Sequence, residues 1–261
     1  MSVFKKIFGV VLLASAAYFP WVAQAVPTQV DLELVLAVDV SGSVDPNEYA
    51  GQKAGYVAAF NDAAIQSAIT SGTYGSIAVT YVEWSSSGTQ AQRINWTLID
   101  SAASASAFAT AIDSTNRAFG GSTGVGSAIQ YSTGLFSFND MANANYVGDR
   151  KVIDISGDGR NNSGISPSTA RDAALSAGVT TINAIAIQDP SLEDYFRNNV
   201  IGGSNAFATF AADFEDDFSQ AIKDKIFREI TEKPVPEPAT LGLLGLGLAG
   251  LAFARRRKLI A

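Results

Sequence analysis

Between Val30 and Glu232, apolar runs of strand length alternate with amphipathic stretches of helix length, and this alternation restricts the chain more than any single motif. Leu32 to Val38 is followed by a helical pattern from Pro46 to Ile69. Ile77 to Trp84 is followed by Arg93 to Leu98, then by helical patterns near Ser101 to Ile112 and Gly124 to Phe136. Val152 to Ile155, Ser168 to Ala177, Val179 to Ile187, Leu192 to Asn198, Ala206 to Phe210 and Asp213 to Ile230 continue the series. Strands joined through helices need right-handed crossovers, so the expected class is α/β, doubly wound, with a mostly parallel sheet and helices on both faces. The six-residue link Ser85-Ser-Ser-Gly-Thr-Gln90 is too short for a crossover, which makes one edge strand antiparallel. Asp45 and Glu48 flank Pro46 as a capping box, and Val57, Phe60, Ala64 and Ala68 continue at helical spacing.

Both ends differ from this middle. Lys5 and Lys6, the apolar run Ile7 to Ala17 and the small-residue site Ala23-Gln24-Ala25 form the pattern of a secretory signal over residues 1–25. The expected domain then occupies 26–232. Residues 233–261 hold a proline-rich break, an apolar segment at about 239–254 and the basic end Arg255-Arg-Arg-Lys258. Counted from Pro238 the apolar segment has 17 residues, at the lower edge of the roughly 17–25 that cross a bilayer. The basic cluster would remain on the cytoplasmic side, with the main domain across the membrane.

Charge narrows the partners. Six of the 18 Lys and Arg (Lys5, Lys6, Arg255, Arg256, Arg257 and Lys258) lie at the two extremes of the chain, leaving 25 acids, from Asp31 to Glu237, against 12 bases between them, a balance of -13. Such a surface repels phosphate backbones, so nucleic acid is not expected as a partner. The chain has no Cys and no His, which removes thiolate nucleophiles, imidazole bases and the usual zinc and haem ligands. Any chemistry must use oxygen.

Oxygen ligands gather in three loops that follow strands, where open α/β sheets bind ligands. Asp39-Val-Ser41-Gly-Ser43 follows the first long strand. Gly120-Gly-Ser-Thr123-Gly-Val-Gly126 opens a helix, and Asp158-Gly159 follows Lys151 to Ser156. Two carboxylates with several hydroxyls suit a hard cation such as Mg2+. Because hydroxyls are weak neutral donors, a cation held this way would still seek an anionic oxygen. Each loop alone also reads as a simple turn or helix cap.

These residues resemble the von Willebrand factor type A domain, whose metal-ion-dependent adhesion site has D-x-S-x-S, a distant Thr and a distant Asp. The resemblance implies a six-stranded, mostly parallel sheet with one antiparallel edge strand, and Asp39, Ser41, Ser43, Thr123 and Asp158 as ligands of Mg2+, with Mn2+ or Ca2+ as alternatives. Ala-Val-Asp-Val-Ser-Gly-Ser (37 to 43), Tyr-Val-Glu-Trp-Ser (81 to 85), Val-Ile-Asp-Ile-Ser-Gly-Asp-Gly (152 to 159) and Asn-Ala-Ile-Ala-Ile (183 to 187) resemble a bacterial subgroup of these domains. Val-Pro-Glu-Pro (235 to 238), the Gly/Leu segment and the basic end resemble a PEP-CTERM sorting signal. That implies export in a Gram-negative bacterium, processing by an exosortase and a surface, matrix or secreted destination.

The expected function is a non-catalytic module that binds an acidic group of a protein or extracellular polymer through the ion. A matrix component with a purely structural ion and a metal-dependent hydrolase are the alternatives. Gly120-Gly-Ser122-Thr-Gly124 satisfies G-x-S-x-G, yet without His the nucleophile elbow has no usual proton acceptor. Ser122 offers the same hydroxyl as its neighbour Thr123. Asp154 is an acid within an apolar strand, open to a supporting role at the site or to pairing with a cation. Arg160-Asn161-Asn162 reads either as a solvated turn or as a feature that orients a partner's acid.

Overall fold

The computed structural model describes residues 27–138 and 146–232. The leader 1–25 and the tail 233–261, with its apolar segment 239–254, lie outside the described residues. In chain order the elements are β1 (Thr28–Val30), β2 (Leu32–Asp39), α1 (Pro46–Phe60), α2 (Ala63–Thr70), β3 (Ile77–Trp84), β4 (Gln90–Ile99), α3 (Ala102–Asp113) and α4 (Val125–Phe138). They continue with β5 (Tyr146–Gly148), β6 (Lys151–Gly157), α5 (Pro167–Ser176), β7 (Thr181–Ile187), α6 (Pro190–Asn199), β8 (Gly202–Gly203), β9 (Ala208–Ala211) and α7 (Asp216–Thr231).

The main sheet has the order β4-β3-β2-β6-β7, with β9 parallel to β7 and the two-residue β8 antiparallel to it. β4 runs antiparallel to β3, as the short link between them requires. The class is therefore the expected α/β sheet, mostly parallel and flanked by helices. β2 is buried along its whole length, as a central parallel strand covered on both faces must be. Its alternate side chains serve two cores. Leu32, Leu34, Leu36 and Val38 pack in the cluster that contains Tyr56, Phe60, Phe108, Phe218 and Ile222 of α1, α3 and α7. Val35 and Ala37 pack in the cluster of Val125, Ile129, Ala170, Leu192 and Phe196 from α4, α5 and α6.

The differences from expectation have local causes. Pro46 to Ile69 is two helices, because Asp62 accepts hydrogen bonds from the Ala64 and Ile65 amides and caps a new start. The new phase buries Ile65 and Ile69, while Ala64 is exposed. At the start of α1 the capping box forms as expected, with Asp45 accepting from the Glu48 amide and Glu48 accepting from the Asp45 amide. β1 and β5 make a separate two-stranded parallel sheet, and β8 adds two glycines. Segments this short carry no hydrophobic period.

α1 and α7 approach closely because α1 presents Gly51 and Gly55. A Cβ at Gly51 would run into the Phe214 carbonyl, and one at Gly55 would stand 2.7 Å from Phe218 Cδ1. Gly51→Ala is therefore expected to cost about 1–3 kcal/mol. A lowered urea midpoint with an unchanged denaturant slope is the expected reading.

Candidate metal site

In the register of the sheet, Asp39 of β2 pairs with Trp84 of β3, and Val38 pairs with Ser156 of β6. The C-terminal ends of three strands thus finish level with one another. The connections from β2 lead to β3 on one side, while β6 lies on the other, so the crevice opens at the switch between β2 and β6.

Asp39 is fully buried there. Its Oδ1 accepts from the Ser41 amide at 2.7 Å, which turns the chain sharply after the strand. Ser41 Oγ lies 3.2 Å from Ser43 Oγ, and Ser43 Oγ donates to Asp158 Oδ1 at 2.8 Å. Asp39 Oδ2 is buried with no hydrogen-bond partner among the described residues. A Cβ on Gly157 would stand 3.1 Å from that oxygen, and one on Gly159 would stand 3.2 Å from Thr123 Oγ1. All three loops therefore converge, and Thr123 faces the Asp158-Gly159 turn. Its neighbour Ser122 is exposed, with its amide bonded to Ser86 Oγ at 2.8 Å.

The electrostatics are unfavourable as they stand. Burial, then the nearby charge of Asp158, pushes the Asp39 carboxyl from 3.8 up to about 8. Burial also raises Asp158, although the Ser43 hydrogen bond works against the rise. None of the ion pairs among the described residues involves either acid. Two facing carboxylates, three hydroxyls and one oxygen without a donor form a set that a hard divalent cation fits. Among the described residues no three acidic side chains converge on a point, so the hydroxyls are an essential part of such a set.

Several supporting residues carry no sequence signal. Arg117 donates to the Val44 carbonyl through Nη1, and to the Val40 and Ser41 carbonyls through Nη2, at 2.6–2.8 Å. It grips the Asp39 to Ser43 loop on both sides. Gln52 Nε2 donates to the Asp39 carbonyl at 3.1 Å. The Gly120 loop is held by Ser85 Oγ on the Gly120 carbonyl, and by the Gly42 amide on the Gly121 carbonyl. Gly121 adopts φ +137, and a Cβ there would press on Ser86 Oγ at 2.5 Å, so the position suits glycine.

The solvated-turn reading of Asn161 and Asn162 needs correction. Asn162 Oδ1 accepts from the Thr123 amide at 2.9 Å, and Asn161 Oδ1 accepts from the Gly126 amide at 3.1 Å. The Thr123 carbonyl in turn accepts from the Asn162 amide at 2.8 Å. The loop after β6 thus fixes the start of α4 and the backbone of Thr123. Arg160 lies with Cζ 5.2 Å from the Tyr195 ring centre and donates to Ser191 Oγ. Asn162→Ala is expected to leave the fold intact and weaken divalent-metal affinity by about 10–100-fold, measured by calorimetric titration.

The fold is of the von Willebrand factor A type, as comparison with solved structures shows. A solved structure of proximal thread matrix protein 1 from the mussel byssus, described as having a zinc-occupied MIDAS motif, matches with TM-score 0.58 and 16% identity, over 78% of this chain and 49% of that one. The pilus adhesin SpaC from Lactobacillus rhamnosus GG matches with TM-score 0.55 and 16% identity, over 77% and 31%. A von Willebrand factor type A protein from Catenulispora acidiphila matches with TM-score 0.50 and 16% identity, over 78% and 44%. The chain spans about half or less of the length of these proteins. No curated protein matches it.

The chain belongs to the family described as protein of unknown function (DUF1194), whose model matches residues 29–234. A PEP-CTERM protein-sorting motif matches residues 234–258. That motif implies an exported protein of the Gram-negative type, processed by an exosortase. Among the described residues no helix is long and apolar enough to cross a membrane.

Proposed function

We propose that residues 26–232 form an exported, non-catalytic binding module, preceded by a cleaved leader at 1–25 and followed by the sorting tail at 233–261. In this reading Asp39, Ser41, Ser43, Thr123 and Asp158 hold a divalent cation, Mg2+ first among the candidates and Mn2+ or Ca2+ after it. The observation that carries the reading is the buried, donorless Oδ2 of Asp39, set beside a second carboxylate and the Ser41–Ser43 hydroxyl pair. The zinc-occupied motif of the mussel matrix protein supports a divalent ion on this fold. A cation there supplies an electron-poor position that takes an anionic oxygen.

The residues divide the work. Arg117 and Gln52 keep the Asp39 loop in shape through its carbonyls, and Asn162 keeps Thr123 aimed at the Asp158 turn. The acidic background of the domain excludes casual anions, which favours an acid presented on a fitting surface of a protein or polymer. The apolar segment at 239–254 would hold the chain at the membrane until the tail is processed.

Capture from extracellular matrix with and without chelator tests the reading. Binding is expected with Mg2+, absent with chelator, and reduced at least about tenfold by Ser41→Ala. Chelator-insensitive binding would reject the mechanism. Thermal stabilisation by Mg2+ with no acidic ligand captured would instead assign the ion a purely structural role.

A further inference from the structure

On the opposite side of β6 from the α4 helix layer, three charged side chains are buried together. Asp154 projects from the middle of β6, and Lys225 and Glu229 lie one turn apart on α7; they are 0%, 2% and 1% exposed. Lys225 Nζ contacts Asp154 Oδ1 and lies 2.8 Å from Glu229 Oε1. Apart from Lys225, neither carboxylate oxygen of Asp154 has a hydrogen-bond partner among the described residues, and Glu229 Oε2 has none. Asn183 Nδ2 donates to Glu229 Oε1 at 2.8 Å, while Asn183 Oδ1 accepts from the Phe207 amide. The Phe207 ring centre lies 5.8 Å from Lys225 Nζ. The arrangement is an amine, a carboxyl with no other partner and a clamped second acid, with almost none of their surface exposed.

We propose that Lys225 and Asp154 are joined by an intramolecular isopeptide bond, with Glu229 as the group that moves the proton. The ammonium of Lys225 gives a proton to Glu229, and the free amine attacks Asp154 Cγ. The nitrogen–carbon bond forms, one Asp154 oxygen leaves as water with protons returned by Glu229, and the amide remains. An ammonium and a carboxylate are consumed, an amide and one water are produced, and no oxidant or cofactor is needed. Burial favours the product: it opposes the charge on the Asp154 carboxylate, raising it to about 7, and the reaction replaces two ions in a low-dielectric site with one neutral group. A cavity of about 540 Å³, with Phe207, Gln220, Ala221, Lys225 and Arg228 in its lining, gives the released water a way out between β9 and α7.

The location gives the bond a use. α7 ends at Thr231, and the matched sorting motif begins at 234. A covalent tie from α7 to β6 would carry force on the tail directly into the central sheet. This does not depend on the metal-site reading.

Intact-mass measurement on the full chain as recovered, with its termini established by sequencing, decides the matter. The wild-type protein is expected to be lighter than its sequence by one water. Trypsin should release peptide 152–160 joined to peptide 224–228, left uncut after Lys225. Lys225→Arg, which keeps the charge but offers no comparable amine, should regain the full mass, and Glu229→Gln should leave most molecules unlinked. Full mass in the wild-type protein, with peptides 152–160 and 226–228 recovered separately, would overturn the proposal.

Discussion

Adding Mg2+ in large excess to the metal-free protein at neutral pH is expected to raise its melting temperature by roughly 5–10 °C, as about 2.7 kcal/mol of linkage would in a domain of this size. Asp39→Asn should remove that response and, at the same time, stabilise the metal-free protein. The amide keeps an oxygen for the Ser41 amide but discards a buried charge that nothing compensates. The sign follows from the carboxyl's position. Its folded value is about 8 against an ordinary 3.8, so between those values the native state binds more proton than the unfolded chain. Metal-free stability therefore falls as pH rises from 3.8 to about 8, by on the order of a few kcal/mol, and Asp39→Asn should flatten that slope. Metal uptake at neutral pH should release protons, measurable as a dependence of the calorimetric enthalpy on the buffer. A steeper slope in Asp39→Asn, or uptake without proton release, would contradict the account.

The five proposed ligands were readable because their signal is local. D-x-S-x-S is five residues long, Thr123 sits in a glycine-rich loop that runs from α3 into the start of α4 rather than after a strand, and Asp158 lies in a glycine-marked turn at the end of a recognisable strand. Arg117, Gln52 and Asn162 were not. Arg117 reaches carbonyls more than 70 residues away, and a carbonyl is the same in every sequence. Asn162 read as a turn residue since its acceptor serves an amide 39 positions earlier. In the fold, the long buried strands β2, β6 and β7 were plain from their apolar runs, and the antiparallel edge from a short link. The restart of helix at Asp62 was hidden, because one aspartate on a polar face looks the same whether it caps a helix or faces water. Asp154 stood out as an acid in an apolar strand. Its partner Lys225 did not, because a lysine within an amphipathic helix normally lies on the wet side, and only the packing of α7 on the sheet turns it inward.

That pair sets up the second large effect. Lys225→Met is expected to destabilise the protein by about 3–5 kcal/mol, read as a lowered urea midpoint, because it strips the counter-charge from two buried carboxylates. The loss arises whether the wild-type contact is ionic or covalent, and the pH dependence separates the two. Although burial opposes its charge, the two carboxylates hold Lys225 above its ordinary 10.5, so an ionic Lys225 contributes fully below 10.5 and fades only in stronger alkali. An ionic Asp154, raised from 3.8 to about 7 by burial and the charge of Glu229, makes wild-type stability fall across that interval as pH rises. An amide does not titrate, so a covalent wild type loses this component and keeps a flatter profile. Lys225→Met must show the falling slope in either case, and more steeply, since Asp154 then ionises without a cation beside it. Acidification should accordingly restore part of the variant's stability. A variant as stable as wild type at neutral pH would mean that water reaches the cluster, and would remove the basis for treating Asp154, Lys225 and Glu229 as a buried unit.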